Sequence, residues 1–166
     1  YSIALLKESQ KRVLLIDLDE NSCDDQAIIL GVKGAKTLID LSKNKSTLTP
    51  MIVQSSVFQH PTGISFLAGT SDPSQWGNLS LDEFDRIFKA IQQTYPYTIV
   101  DCGSRLNDHV FKILEMSTLI LVVTAPEVLV LNQTRALVNK LQSHLFPAEM
   151  VHVVLNKFQP KGTITP

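Results

Sequence analysis

Several things this sequence lacks narrow its function at once. It has only two cysteines, Cys23 and Cys102, far apart and in no metal-type or redox-type spacing, so neither a zinc knuckle nor a thiol–disulfide motif is on offer. A reduced, cytoplasmic protein is the simplest reading of that usage. The four histidines, His60, His109, His144 and His152, are scattered without ligand spacing. There is no surplus of charge: 15 basic against 16 acidic residues leave a formal net charge of -1. No strong field therefore points to nucleic acid or an anionic membrane. The longest apolar runs, VLLI and LILVV, fall far short of the ~20 residues that span a bilayer. No internal repeat or low-complexity tract is present. The chain lacks G-x-S-x-G, so Ser104 after Gly103 is not a nucleophile elbow.

What is present is a strand–helix alternation. VLLIDLD, ISFLAG, YTIVDCG, LILVVTAP and VHVVLNK read as strands. VLLI, TIV, LILVV and VHVVL are continuous rather than alternating, which predicts a parallel sheet covered on both faces. Helical patterns lie between them. Ser80-Leu81-Asp82-Glu83 is a capping box, followed by Leu81, Phe84, Ile87, Phe88 and Ile91 on one helical face. Leu131, Leu137, Val138, Leu141 and Leu145 repeat that spacing, and SDPSQWGN reads as a turn-rich loop. The alternation predicts a doubly wound, mostly parallel α/β sheet with helices on both faces, in 166 residues that amount to about one domain.

Such sheets bind ligands beyond the carboxyl ends of their strands. Asp17 and Asp19 close VLLIDLD and, two residues apart on a strand, point to one side. Asp101 closes YTIVDCG, with Gly103 two residues on. A carboxylate at the end of a buried strand is costly unless neutralised, and hydrated magnesium is one solution. Four apolar residues closed by an aspartate have the form of a Walker B element. The alternative is that these aspartates cap the helices that follow. Spacing alone divides the two readings evenly, and two such strand ends in one chain favour a site. Asn156, ending VVLN, has an amide able to read a base edge or to form a turn. Pro126 in TAPE is a rigid turn. Cys102 beside Asp101 should have a raised thiol pKa and be unreactive.

One stretch imitates a phosphate loop. GVKGAKTLIDL, 31–41, holds two glycines, then Lys36 and Thr37, with the apolar run QAIIL before it where a strand would stand. A Walker A loop is G-x-x-x-x-G-K-[ST]. Registered on Lys36, its two glycine positions hold Leu30 and Ala35. The stretch is therefore predicted to be a turn leading into a short helix, Thr37 to Leu41.

In order, KRVLLIDLD, YTIVDCG, STLILVVTAPEVLVLNQTRALVNKL and VVLNK together resemble the MinD/ParA family of deviant-Walker P-loop ATPases. The nearest pattern is that of the CpaE/TadZ-type branch, which localises pilus-assembly machinery. DLDENSCD keeps Asp17, Asp19 and Asp24 of that branch's D-L-D-L-x-F-G-D but has Ser22-Cys23 for Phe-Gly, and LGVKGAKTLIDLS loosely fits its next segment.

The resemblance implies a P-loop NTPase-like fold with the first strand and the phosphate loop lying before Tyr1. Residues 1–166 would then be a single, truncated ATPase domain, inactive alone, with free sheet edges where the strand is missing. It further implies ATP and Mg2+ as cofactors and nucleotide-dependent homodimerisation. Pilus, secretion or polar-localisation proteins would be the partners, with recruitment to a cell pole or the inner membrane face. Carried over, Asp19 orients the attacking water, Asp17 and Asp101 serve the metal, Gly103 lies near the γ-phosphate, and Pro126 and Asn156 belong to the adenine pocket. Two other functions stay open. One is a non-hydrolysing scaffold of the same fold. The other is a receiver-like domain, for which Lys157 would supply the strand-end lysine.

Overall fold

The computed structural model describes residues 1–157 apart from 23–24, 45–47 and 71. Cys23 and Asp24, used in the motif comparison above, lie outside the described residues. The chain divides into two compact units, Tyr1–Lys112 and Ile113 onward.

In the first unit, helix α1 (Ser2–Ser9) leads into β1 (Val13–Asp17). Three short helices follow: α2 (Asp25–Ile29), α3 (Leu38–Ser42) and α4 (Pro50–Ser55). Next come β2 (Phe58–Gln59) and β3 (Ser65–Ala68), a 3-10 helix at Pro73–Asn78, α5 (Leu81–Thr94) and β4 (Tyr97–Asp101). The sheet order is β2-β3-β1-β4. β1 runs parallel to β3 and β4, and β2 is an antiparallel edge that the sequence reading did not foresee.

β1 is covered on both faces, as its unbroken VLLI predicts: all five residues are buried. Val13 and Leu15 join Ile64, Phe66 and Ala68 in one cluster, which Ala27 and Val32 complete. By alternation Leu14, Ile16 and Leu67 face the other way, where Tyr95, just after α5, donates its hydroxyl to Ser65 at 3.1 Å. The Ser80–Glu83 capping box forms as expected, and Phe84, Ile87, Phe88 and Ile91 of α5 are buried.

The second unit holds β5 (Ile120–Thr124), α7 (Val128–Ser143), a 3-10 turn at Ala148–Met150 and β6 (Val151–Leu155). Helix α6 (Asp108–Met116) carries the chain across the boundary. β5 and β6 form a parallel two-stranded sheet.

Here the two-faced burial predicted for LILVV and VHVVL does not hold. Thr134 of α7 bonds Thr124 at 2.7 Å, so α7 lies on the side of Ile120, Val122 and Thr124. Leu121 and Val123 point the other way, 38% and 62% exposed, with Val154 beside them at 40%. A continuous apolar strand records what its residues tolerate, not how many layers cover it. Leu145, expected on the α7 face, falls beyond the helix end, 89% exposed at φ 63°. Among the described residues β4 forms a ladder with β1, and β5 forms one with β6.

In the run QAIIL, residues 26–29 are helical rather than a strand, the last part of α2, and Leu30 follows in a turn. SDPSQWGN, expected as a loop, contains the 3-10 helix. GVKGAKTLIDL is a connector. Gly31 and Gly34 both have φ +65° with open space around them, so they serve turns. Lys36 donates to the Ser55 carbonyl at 3.1 Å, and Thr37 caps α3 in a box with Asp40.

Candidate functional site: a carboxylate pair at the strand ends

β1 and β4 are adjacent and parallel, and their register sets Asp17 directly beside Asp101. Both strands end there, and each chain leaves through a tight Asp-centred turn. Asp17 Oδ1 accepts from Asp19 N–H at 3.2 Å, Asp19 Oδ1 from Asn21 N–H at 2.9 Å, and Asp101 Oδ1 from Gly103 N–H at 3.1 Å. These are self-bonded aspartate turns, which a small carboxylate forms readily.

Gly103 takes φ +59°, and a methyl group built on it would stand 2.4 Å from Asp19 Cγ. The glycine is required twice over: for its left-handed φ and for the Asp19 carboxyl lying against it. Asp17, Asp19, Asp101 and Gly103 thus meet at one sheet end.

Asp17 is 5% exposed. Burial pushes its carboxyl up from 3.8 to about 6; N–H groups of Asp19 and Gln26 pull it back, and the charges of Asp101 and Asp19 push it further up. Among the described residues it forms no ion pair with a basic side chain. The capping alternative is met in part, because the Gln26 N–H lies in the first turn of α2. The strand-end carboxylates nevertheless carry more negative charge than the caps require.

The pH consequence follows from the sign. A folded-state pKa above the unfolded one means the folded chain holds the proton more tightly. Asp17 therefore favours folding in acid and loses that contribution as pH rises from about 4 to about 6. The change is on the order of 3 kcal/mol, at about 1.4 kcal/mol per tenfold change in acid constant. Urea unfolding of wild type and Asp17→Asn at pH 4 and pH 7 tests this. The variant should gain on wild type across that interval; a constant difference between them would refute the assignment.

The adenine-pocket candidates lie in the second unit. Asn156 follows β6 and its N–H donates to the Thr124 carbonyl at 2.7 Å, while its own side chain accepts from Lys157 N–H at 2.9 Å. Pro126 sits in the bend after β5. These two are neighbours at the carboxyl end of the β5–β6 pair.

Other candidates fall away. Each histidine has a ring nitrogen within hydrogen-bond distance of a main-chain carbonyl, those of Leu30, Leu79, Lys140 and Glu149. Burial, and secondarily Asp101, pushes the Cys102 thiol up to about 12, so it is inert as expected. Among the described residues no group of three or more His, Cys, Asp or Glu side chains could hold a metal ion unaided. A cation at Asp17 and Asp101 would need oxygens from elsewhere, which suits hydrated magnesium on a phosphate better than a closed protein cage.

Sequence reasoning missed Gln26. Its Nε2 donates to Asp101 Oδ2 at 2.7 Å across 75 positions. Only the glutamine's place on a short helix after the acidic stretch could have pointed to it.

The fold defined by these elements is that of the MinD/ParA-type P-loop NTPases, an α/β architecture with a mostly parallel sheet. A ParA family ATPase from Chlorobium tepidum superposes with a TM-score of 0.79 at 18% identity, over 94% of this chain and 65% of that one. MinD in the MinC:MinD cell division complex of Aquifex aeolicus gives 0.70 at 17%, over 95% and 62%. The septum site-determining protein MinD of Pyrococcus horikoshii, complexed with Mg-ADP, gives 0.66 at 19%, over 92% and 58%. The chain thus spans less than two thirds of the length of each. No protein-family model matches the sequence, and no curated protein sequence matches it. Among the described residues no helix is long and apolar enough to cross a membrane.

Proposed function

We propose that this chain is the greater part of one nucleotide-switch domain of the MinD/ParA type, binding Mg-ATP and acting as a spatial regulator. The observation that carries the reading is the Asp17–Asp101 pair, set in register on neighbouring parallel strands, with Asp17 buried and, among the described residues, in no ion pair with a basic side chain. Two strand-end carboxylates arranged this way suit a hydrated divalent cation. The Mg-ADP complex of the Pyrococcus horikoshii neighbour is consistent with that chemistry in this fold.

In this reading Asp17 and Asp101 hold the magnesium shell, and Asp19, packed on Gly103, orients the attacking water. Gly103 lies by the γ-phosphate, and Asn156 with Pro126 receives the adenine. Bound magnesium would neutralise phosphate charge; the chain's own part is to aim these carboxylates. ATP would drive homodimerisation, and the dimer would localise pilus or secretion machinery at a pole or the inner membrane face.

A non-hydrolysing scaffold of the same fold is the second reading. It is favoured by the departures of DLDENSC from the branch's pattern. The receiver reading loses support. The fold instead matches that of solved MinD/ParA-type ATPases.

Calorimetric titration of the full-length gene product with Mg-ATP, alongside phosphate release, decides the matter. Binding with turnover supports the ATPase, binding without turnover the scaffold, and no binding overturns both.

A further inference from the structure

We propose that Gln26 is the positioning residue of the carboxylate pair: it fixes the plane of Asp101 for a divalent cation and ties helix α2 to the site. The inference rests on the magnesium-site reading and deepens it.

One residue reaches both strand ends. The Gln26 side-chain amide donates to Asp101 Oδ2 at 2.7 Å, and its main-chain N–H, at the start of α2, helps to lower the pKa of the Asp17 carboxyl. Gly103 N–H holds the other Asp101 oxygen at 3.1 Å. Asp101 therefore has one donor on each oxygen, one from 75 positions away and one from two positions on, and cannot turn about its terminal bond without breaking one of them.

The chemistry of a carboxamide fits this task. A lysine or arginine here would neutralise the pair and compete with a cation. Glutamine donates without charge and leaves a second lone pair on each oxygen, so it aims the carboxylate while leaving it able to receive a cation. Its own position is fixed from below: the next residue, Ala27, is buried in the core cluster, and its carbonyl accepts Val32 N–H at 2.8 Å. The outward side of α2 carries Ile28 and Ile29, 73% and 75% exposed, so the helix has little else to hold it in place.

The test uses the full-length gene product with Gln26→Leu and Gln26→Glu, magnesium chloride alone as the probe, and two readouts. These are calorimetric magnesium affinity and hydrogen exchange of the α2 amides. Gln26→Leu should weaken magnesium binding about tenfold and speed α2 exchange about tenfold, the size expected for one hydrogen bond to a charged group. Gln26→Glu sets a third carboxylate against the pair. Its α2 should exchange fastest without cation and recover most on adding magnesium.

A double-mutant cycle with Asp101→Ala separates this from a merely structural role: the two losses of α2 protection should be strongly non-additive. Wild-type magnesium affinity and α2 protection in Gln26→Leu, or simple additivity, would overturn the proposal. If the wild-type protein shows no response to magnesium or Mg-ATP, the magnesium-site reading itself fails, and this inference with it.

Discussion

Asp101→Ala in the full-length gene product should lower ATP turnover by about 100-fold or more. The reasoning begins with what the carboxylate faces. It stands in register with buried Asp17 and is clasped by Gly103 and Gln26. Magnesium on a transferring phosphoryl group supplies several kcal/mol of charge stabilisation, and each 1.36 kcal/mol is tenfold in rate. In the proposed site Asp101 is one of two carboxylates facing the metal, and losing it should forfeit a large share of that stabilisation. Asp101→Asn keeps the shape and serves as the control for folding. Unchanged Mg-ATP affinity and turnover in the alanine variant would remove Asp101 from the site.

The second large effect concerns the fold beneath that site. Gly69, directly after β3, donates its N–H to the Asp17 carbonyl at 2.7 Å. A methyl group on it would stand 2.5 Å from that same carbonyl and 2.9 Å from the buried Trp76 ring. Its φ is not left-handed, so the requirement is purely steric. The carbonyl belongs to a central strand and cannot retreat; the indole is packed near His109, ring centroids 5.7 Å apart. Gly69→Ala should therefore destabilise by about 3 kcal/mol, the upper part of the usual overpacking range, with Asp17 displaced as well. Gly77→Ala, where the added carbon meets nothing within 4 Å, should stay within about 1 kcal/mol. Denaturant midpoints of the two variants compare them directly, and equal midpoints would contradict the steric account.

How legible the molecule was depended on the range of the interactions involved. Five parallel strands were visible as apolar runs closed by turn residues, and the Ser80–Glu83 cap was visible because its partners are three residues apart. The helical state of QAIIL was not, because a run of four apolar residues suits a strand or a buried helix segment equally. The two-residue β2 was too short to leave a pattern. Asp17 and Asp101 could each be picked out as strand ends, but their adjacency is a property of the sheet order. The grip of Gln26 on Asp101 and the closeness of Gly69 to Asp17 are contacts between distant segments, and no local spacing announces them.

The parallel ladder between β1 and β4 also acts as an error check on the chemistry. Side chains alternate across a strand, so sliding β4 by a single residue would put Val100 or Cys102 opposite Asp17 and turn Asp101 to the other face of the sheet. There is no graded loss along that coordinate: the two carboxylates meet in one register and in neither adjacent one. An insertion or deletion of one residue within YTIVD should thus be as damaging to the site as removing the aspartate, even where the strand still forms.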